Sequence, residues 1–267
     1  MATIHPTSII EGNVELADDV VVGPFCTLQG TVTIGAGTKI MPNCHVFGLT
    51  SMGEGNVLWP GTVLGGPPQD INFDQDCEEP GLMIGDRNTF REGVTVHRGK
   101  TDQSTRIGND NYFMTNSHVG HDSILGNNIQ LATGSMLGGH TIIDDRVIIG
   151  GASGVHQFCR IGEGAMIGGG AGTALDVPPW FLLTTISTCS SVNLIGMQRS
   201  GMSPESIASR KDVFKTLYRE RRSLKGAIEV LRSRMDDPVV AEYVEFIESS
   251  DRGICRGPQR KHARSGY

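Results

Sequence analysis

Aromatic side chains make up only 6% of this chain and charged ones only 19%, while glycine is plentiful, at 36 of 267 residues. So apolar a composition excludes disorder, and so glycine-rich a one excludes a helix bundle. No apolar run reaches 18 residues, and the opening Met1-Ala-Thr-Ile-His-Pro-Thr7 lacks a basic-then-apolar signal segment. The chain therefore reads as soluble and cytoplasmic, with no transmembrane segment. Cys26, Cys44, Cys77, Cys159, Cys189 and Cys255 form no Cys-x-x-Cys pair, which removes zinc-finger and thioredoxin readings. Also missing are a Gly-x-Ser-x-Gly elbow, a P-loop and a dinucleotide fingerprint. No nucleic-acid partner is expected.

Charge is divided unevenly. Residues 203–267 carry 14 Lys/Arg against 10 Asp/Glu, whereas the first 202 carry 9 against 19. A basic C-terminal piece on an acidic body suits an anionic partner.

What is present is a repeat of six. Apolar residues recur at every sixth position from Ile4 through Ile10, Leu16 and Val22 to Leu64, again at Ile84, Phe90 and Val96, and again from Ile107 to Ile167. All 25 of these positions are apolar, which chance does not produce. The residue four further on is nearly always small, as at Ser8, Cys26, Thr38, Ser117 and Ala165, with Ile129 the exception. Glycine often follows the apolar residue directly, as at Gly23, Gly35, Gly108, Gly120 and Gly150.

A period of six fits short strands separated by tight corners, three strands closing a triangular coil of 18 residues. The large residue fills the axis and the small one the corner, while glycine eases the turn. Cys26, Cys44 and Cys159 occupy the small position and read as fillers. The fold class is therefore mainly β, a parallel β-helix, over residues 1–190. Two breaks, near 65–83 and 97–106, read as insertion loops, where binding is expected.

The repeat stops after Ile167, and Trp180–Ser191 reads as an apolar, hydroxyl-rich connector. Residues 191–267 read as a C-terminal α-helical domain with a basic tail. Ser203-Pro204-Glu205 signals a helix start, a second helix follows Ser223, and a third begins at Asp237-Pro238. Arg252–Tyr267 reads as a frayed basic tail.

His97, His118, His121, His140 and His156 avoid the axis positions. Spacings of about one coil place His97, His121, His140 and His156 in a vertical file on one edge, with His118 beside it. Singly, each would be an ordinary surface histidine; a file of four beside two insertions points to a site. A zinc ion needs three ligands converging at about 2.0–2.1 Å, awkward across stacked coils of one chain. Base catalysis needs one histidine and an orienting partner, for which the adjacent Asp122 is suited. Base catalysis is the stronger reading, with no metal.

Several segments together resemble a known family. They are Gly23-Pro-Phe-Cys26, Ile84-Gly-Asp-Arg-Asn88, Val94-Thr-Val-His-Arg-Gly99, Asn116-Ser-His-Val-Gly-His-Asp122, Gly139-His140, Val155-His-Gln-Phe-Cys159, Asp176-Val-Pro-Pro179 and Ser250-Asp-Arg-Gly-Ile254. The pattern is similar to that of the bacterial acyl-[acyl-carrier-protein]–UDP-N-acetylglucosamine O-acyltransferases, which open lipid A synthesis. The resemblance implies a left-handed β-helix and a homotrimer with sites between subunits. It implies transfer of a 3-hydroxyacyl chain, carried on the phosphopantetheine of acyl carrier protein, to the 3-hydroxyl of the nucleotide sugar, without a further cofactor. His121 would be the base, Asp122 its support, and the Gly139 N–H the oxyanion donor. His97, His118, His140, His156 and Gln157 would line the substrate clefts, Gln69 and Asp70 would contact the sugar, and Gly169 would gauge acyl length. Asn193 and Arg199 match positions of the family's nucleotide grip, and the basic helices would dock the carrier protein.

This chain departs from the family pattern in that grip. Pro68-Gln-Asp-Ile-Asn72 stands where the family has Asn-Gln-Asp-x-Lys; Ile195 replaces a glutamate, Ser200 an arginine, and Thr185-Ile-Ser-Thr188 a Gly-Asn-x-Ala. Three other readings accordingly stay open: a different acceptor such as a 3-amino nucleotide sugar, a paralogue with weakened nucleotide binding, and a γ-carbonic-anhydrase-type zinc hydrase.

Overall fold

The computed structural model describes residues 1–75, 77 and 79–258. It is a parallel β-solenoid whose end is covered by a hairpin and four helices. The axis residues fall into three columns, each built by parallel pairing of one coil on the next. The first runs through Val22, Ile40, Leu58, Phe90 and Phe113. The second runs through Leu64, Val96, Val119, Leu137 and Val155, and the third through Met52, Ile84, Ile107 and Leu125. The second and third faces are continuous near the start because Ile9–Leu16, Thr27–Ile34 and His45–Met52 run unbroken round their shared corner.

From Val22 to Ile167 every axis residue is buried, each worth about 1.5–3 kcal/mol of apolar burial. Ile4 and Ile10 are exposed because the first coil has no neighbour beneath it. Cys26, Cys44 and Cys159 are buried and unbridged in the corners.

Most corners turn on the residue three after the axis position. It adopts left-handed backbone, with φ between 58° and 65° at Phe25, Asn43, Asp122, His140 and Phe158. For a residue with a Cβ this costs about 1–2 kcal/mol, which favours Asn, Asp and His there. The glycine directly after the axis residue does something other than ease the turn. Gly108, Gly120 and Gly150 lack positive φ, but a Cβ on them would lie 2.5–2.6 Å from backbone of the next coil. Coil stacking leaves no room for a side chain.

Both insertions leave the corner between the second and third faces. The pairings Leu64 with Val96 and Val96 with Val119 show the coil resuming in register beyond each loop.

The solenoid also outlasts its sequence pattern. Thr173 and Leu183 continue the first two columns, and Val177 bridges to Ile161 in the third. Trp180–Ser191 is not a loose connector. Strand-forming β-branched and hydroxyl residues make an antiparallel hairpin of Phe181–Thr185 with Thr188–Val192, its first strand extending the first face.

Helices α1 (Leu194–Arg199), α2 (Pro204–Tyr218), α3 (Leu224–Arg232) and α4 (Pro238–Glu248) follow. Ser203, Ser223 and Asp237 cap the last three, and α1 had no sequence signal of its own beyond its cap, Asn193. Phe214 and Tyr243 close over Phe181, with ring centroids 5.1 and 5.3 Å away. Residues 252–258 are not frayed. Buried Asp176 accepts from Arg160 Nε at 2.9 Å and Ser250 Oγ at 2.7 Å, and its backbone pairs with Gly253 and Cys255. The rest of the expected tail, 259–267, lies outside the described residues.

Gly108→Ala should lower stability by about 1–3 kcal/mol through overpacking. Gly154→Ala, where an added Cβ meets nothing within 4 Å, should stay within about 0.5 kcal/mol. Chemical denaturation of both variants measures the contrast.

Candidate active site

The histidines gather at the corner from which both loops emerge, though not in one file. Equal offsets from the axis residue stack, and these offsets differ. His97 and His156 directly follow Val96 and Val155, His121 is two past Val119, and His140 is three past Leu137. Consequently the rings meet in pairs. His97 and His118 have centroids 5.3 Å apart, and His121 meets His140 edge-on at 5.2 Å. His140 stacks on Phe158 at 4.5 Å. His156 lies apart and exposed, its Nδ1 3.3 Å from Arg252 Nη2, and Gln157 beside it is exposed too.

Asp122 is the hub. It sits on a left-handed corner with its carboxylate buried. His121 Nδ1 lies 2.5 Å from its Oδ2. Lys100 N–H donates to both oxygens at 3.1 Å, and Thr101 donates its N–H at 3.0 Å and its hydroxyl at 2.8 Å. Burial pushes this carboxyl up, but the bonds from His121, Thr101 and Lys100 outweigh it and hold Asp122 below the ordinary range. The ionised form orients the His121 ring, with Nδ1–H toward Asp122 and Nε2 left free.

Gly139 lies against that ring: a Cβ there would be 2.8 Å from His121 Nε2. Its N–H has no hydrogen-bond partner among the described residues. At the third corner, the residues with the same offset have theirs filled. Asp86 N–H donates to Asn109 Oδ1, Asn109 N–H to Asn127 Oδ1, and Asn127 N–H to Asp145 Oδ1. The next coil over Gly139 offers Gln157 in place of such an Asx, so this donor stays available.

The two loops are pinned onto the hub. His97 Nδ1 bonds to Pro67 O at 2.5 Å, and buried Arg98 donates to Gly65 O at 3.0 Å and to Cys77 O. Lys100 Nζ meets Asp70 Oδ2 at 2.5 Å. Gln69 is exposed on a cleft of about 550 Å³ that Asp70 and His97 also line.

A metal can be weighed on the same atoms. His121, Asp122 and His140 each offer a ligand atom within 4.8 Å of the others. The convergence comes from two imidazoles and a carboxylate rather than the three nitrogens that coil spacing keeps apart. Because Asp122 already accepts from three neighbours, a cation would have to displace those bonds.

The other expected residues lie elsewhere on the chain. Gly169 follows Ile167 of the first column and therefore turns a different corner from His121. It is exposed, with Gly151 O as the nearest neighbour of an added Cβ, at 3.5 Å. Arg199 is exposed beside a cleft of about 1040 Å³ over the first face, lined also by Gln130, Trp180 and Ile195.

Comparison with known proteins places the chain in a family. A family profile described as "Udp N-acetylglucosamine O-acyltransferase; Domain 2" matches residues 176–255. The acyl-[acyl-carrier-protein]–UDP-N-acetylglucosamine O-acyltransferase of Leptothrix cholodnii is 45% identical over 266 residues, covering 96% of this chain and all of that protein. The enzyme of that name from Anaeromyxobacter dehalogenans is 40% identical over 95% of this chain and 99% of its own. This chain belongs to that acyltransferase family. Solved structures agree: the Francisella novicida UDP-N-acetylglucosamine acyltransferase superposes with a TM-score of 0.90 at 33% identity, covering 96% of this chain and 95% of its own. The fold is thus the left-handed parallel β-helix of the family.

Asn193 also lines the cleft beside Arg199. It is largely buried, its Nδ2 donating to Gly164 O at 2.9 Å and its Oδ1 accepting from Gly196 N–H at 3.0 Å. It caps α1 and ties that helix to the solenoid. Lys100, Thr101, Arg98 and Phe158 were not singled out from sequence. Their one sequence signal was position, in the second insertion or one corner above His140.

Burial pushes His118 down to about 4, against about 6.5 for an exposed imidazole. Between these values only the unfolded chain binds the proton, so stability is full above about pH 6.5 and is lost as pH falls toward 4. His118→Gln, which cannot titrate, should lose about 1–2 kcal/mol less than the native chain between pH 7 and 5. Urea unfolding at the two pH values makes the comparison.

Proposed function

We propose that this chain transfers an acyl group from acyl carrier protein to the 3-hydroxyl of UDP-N-acetylglucosamine, the first step of lipid A synthesis, with His121 as general base. The observation that carries this reading is the 2.5 Å bond from His121 Nδ1 to a buried, ionised Asp122, beside the unpartnered N–H of Gly139. With Nδ1–H committed to Asp122, Nε2 takes the proton of the sugar hydroxyl. The oxygen attacks the thioester carbonyl carbon, and the resulting oxyanion accepts from Gly139 N–H. Collapse breaks the C–S bond, and His121 returns its proton to the departing phosphopantetheine sulfur. The chemistry runs on the chain's own residues, with no cofactor beyond the donor's prosthetic arm.

His118, His140, His156 and Gln157 line the clefts on either side of the base, and Gln69 and Asp70 hold the sugar from the first loop. Burial pushes His97 and His140 below the ordinary imidazole range, which keeps them neutral near pH 7. Gly169 and Arg199 serve the base of another copy. They stand at a different corner and over a different face from His121 on one chain, and a homotrimer of prisms brings unlike edges together. Having no side chain, Gly169 leaves room for a long acyl chain. The β-helix of residues 1–190 carries the reaction, while the helical part, 191–267, docks the acidic carrier protein in the cytoplasm. No helix among the described residues is long and apolar enough to cross a membrane.

The test offers UDP-N-acetylglucosamine, and separately its 3-amino analogue, with acyl carrier proteins of several chain lengths, and reads products by mass spectrometry. A single O-acylated sugar nucleotide is expected, and His121→Ala should lower turnover about 10²–10⁴-fold. Unchanged turnover in that variant would remove His121 as the base. Faster transfer to the amino sugar would reassign the acceptor.

A further inference from the structure

Lys100 joins the first loop to the buried carboxylate of the corner. Its ammonium lies 2.5 Å from Asp70 Oδ2 in the first loop, while its own N–H donates to both oxygens of Asp122. Asp70 is held at its other oxygen by the Asn72 N–H, 2.9 Å away. The Lys100 ammonium, followed by that N–H, keeps Asp70 below the ordinary carboxylate range, and the same ammonium helps to lower His140. Beside the His97 and Arg98 bonds to Pro67 and Cys77, Lys100 sets where Asp70 stands relative to the base. The cation that meets Asp70 here is supplied by the second insertion.

We propose that Lys100 is a positioning residue, a two-ended clip that holds Asp70 of the first loop at a set distance from the His121–Asp122 pair. It acts through Asp70 and does not touch the reacting atoms. Its kinetic consequence rests on the acyl-transfer reading; its structural consequence does not.

Two measurements on the full chain test it. Lys100→Met keeps the backbone N–H on Asp122 and removes only the ammonium. The KM for UDP-N-acetylglucosamine should rise roughly fivefold, with kcat within about twofold, as suits loss of one half-exposed ion pair. Amide exchange in residues 67–75 should quicken while the coils stay protected. Lys100→Arg should restore both. Unchanged KM and unchanged exchange in Lys100→Met would overturn the clip, as would a fall in kcat alone or failure of Lys100→Arg to restore either. If the native chain turns over no nucleotide sugar, the acyl-transfer reading fails, and the exchange measurements alone decide the clip.

Discussion

Every coil hydrogen-bonds to the coil above and below it, so residues with equal offset from their axis residue stand over one another, about 4.8 Å apart. That spacing governs the rest of the molecule. It leaves room only for glycine after several axis residues, as at Gly120, where an added Cβ would lie 2.6 Å from the backbone of Gly139. It sends the chain through left-handed backbone three residues past the axis, where Asp122 and His140 sit. It also decides which N–H groups are satisfied. At the third corner, Asx side chains one coil on accept them; at the histidine corner no Asx follows Gly139, and the donor is left over.

Asp122 converts that geometry into chemistry. A lone buried carboxylate would take up a proton, and this one does not because His121 bonds to it and the second loop folds over it. Lys100 and Thr101 supply donors that the coils themselves do not carry. Removing the loop would leave the dyad's histidine in place and strip its partner of the bonds that keep it charged. The loop is therefore as much a part of the base as the imidazole. It reaches the first loop in turn through Asp70, so both insertions and the corner form one hydrogen-bonded unit.

How much of this could be read from the sequence depends on whether a feature repeats. The axis residues, the corner fillers Cys26, Cys44 and Cys159, both insertions and the caps Ser203, Ser223 and Asp237 were legible, because each arises from local spacing or local hydrogen bonding. The histidine corner was legible as a location. Its arrangement was not, since a spacing of 19 against a coil of 18 looks like alignment yet shifts each ring by one offset. Loop residues such as Lys100 were illegible because their partners, Asp70 and Asp122, lie 30 and 22 residues away along a path with no period. The hairpin of Phe181–Val192 was missed for the opposite reason. It continues the first face after the six-residue pattern has stopped, so the fold persists where its signature does not.

The departures from the family pattern fall on one side of this division. Asn72 is on an inserted loop, and Ile195 and Ser200 are on or just past α1, outside the stacked coils. A change inside a corner would disturb backbone one coil away, and the dyad with it. A change on a loop or on a helix docked to the outside disturbs only what it touches. Asn193 shows how the outer elements stay attached while their surfaces vary: its amide bonds to Gly164 and caps α1, which fixes the helix whatever residues its exposed side presents. The solenoid thus holds the His121–Asp122 geometry under tight steric constraint, and the loops and helices outside the coils are free to change. Variation in the outer elements with an intact histidine corner is what this architecture permits.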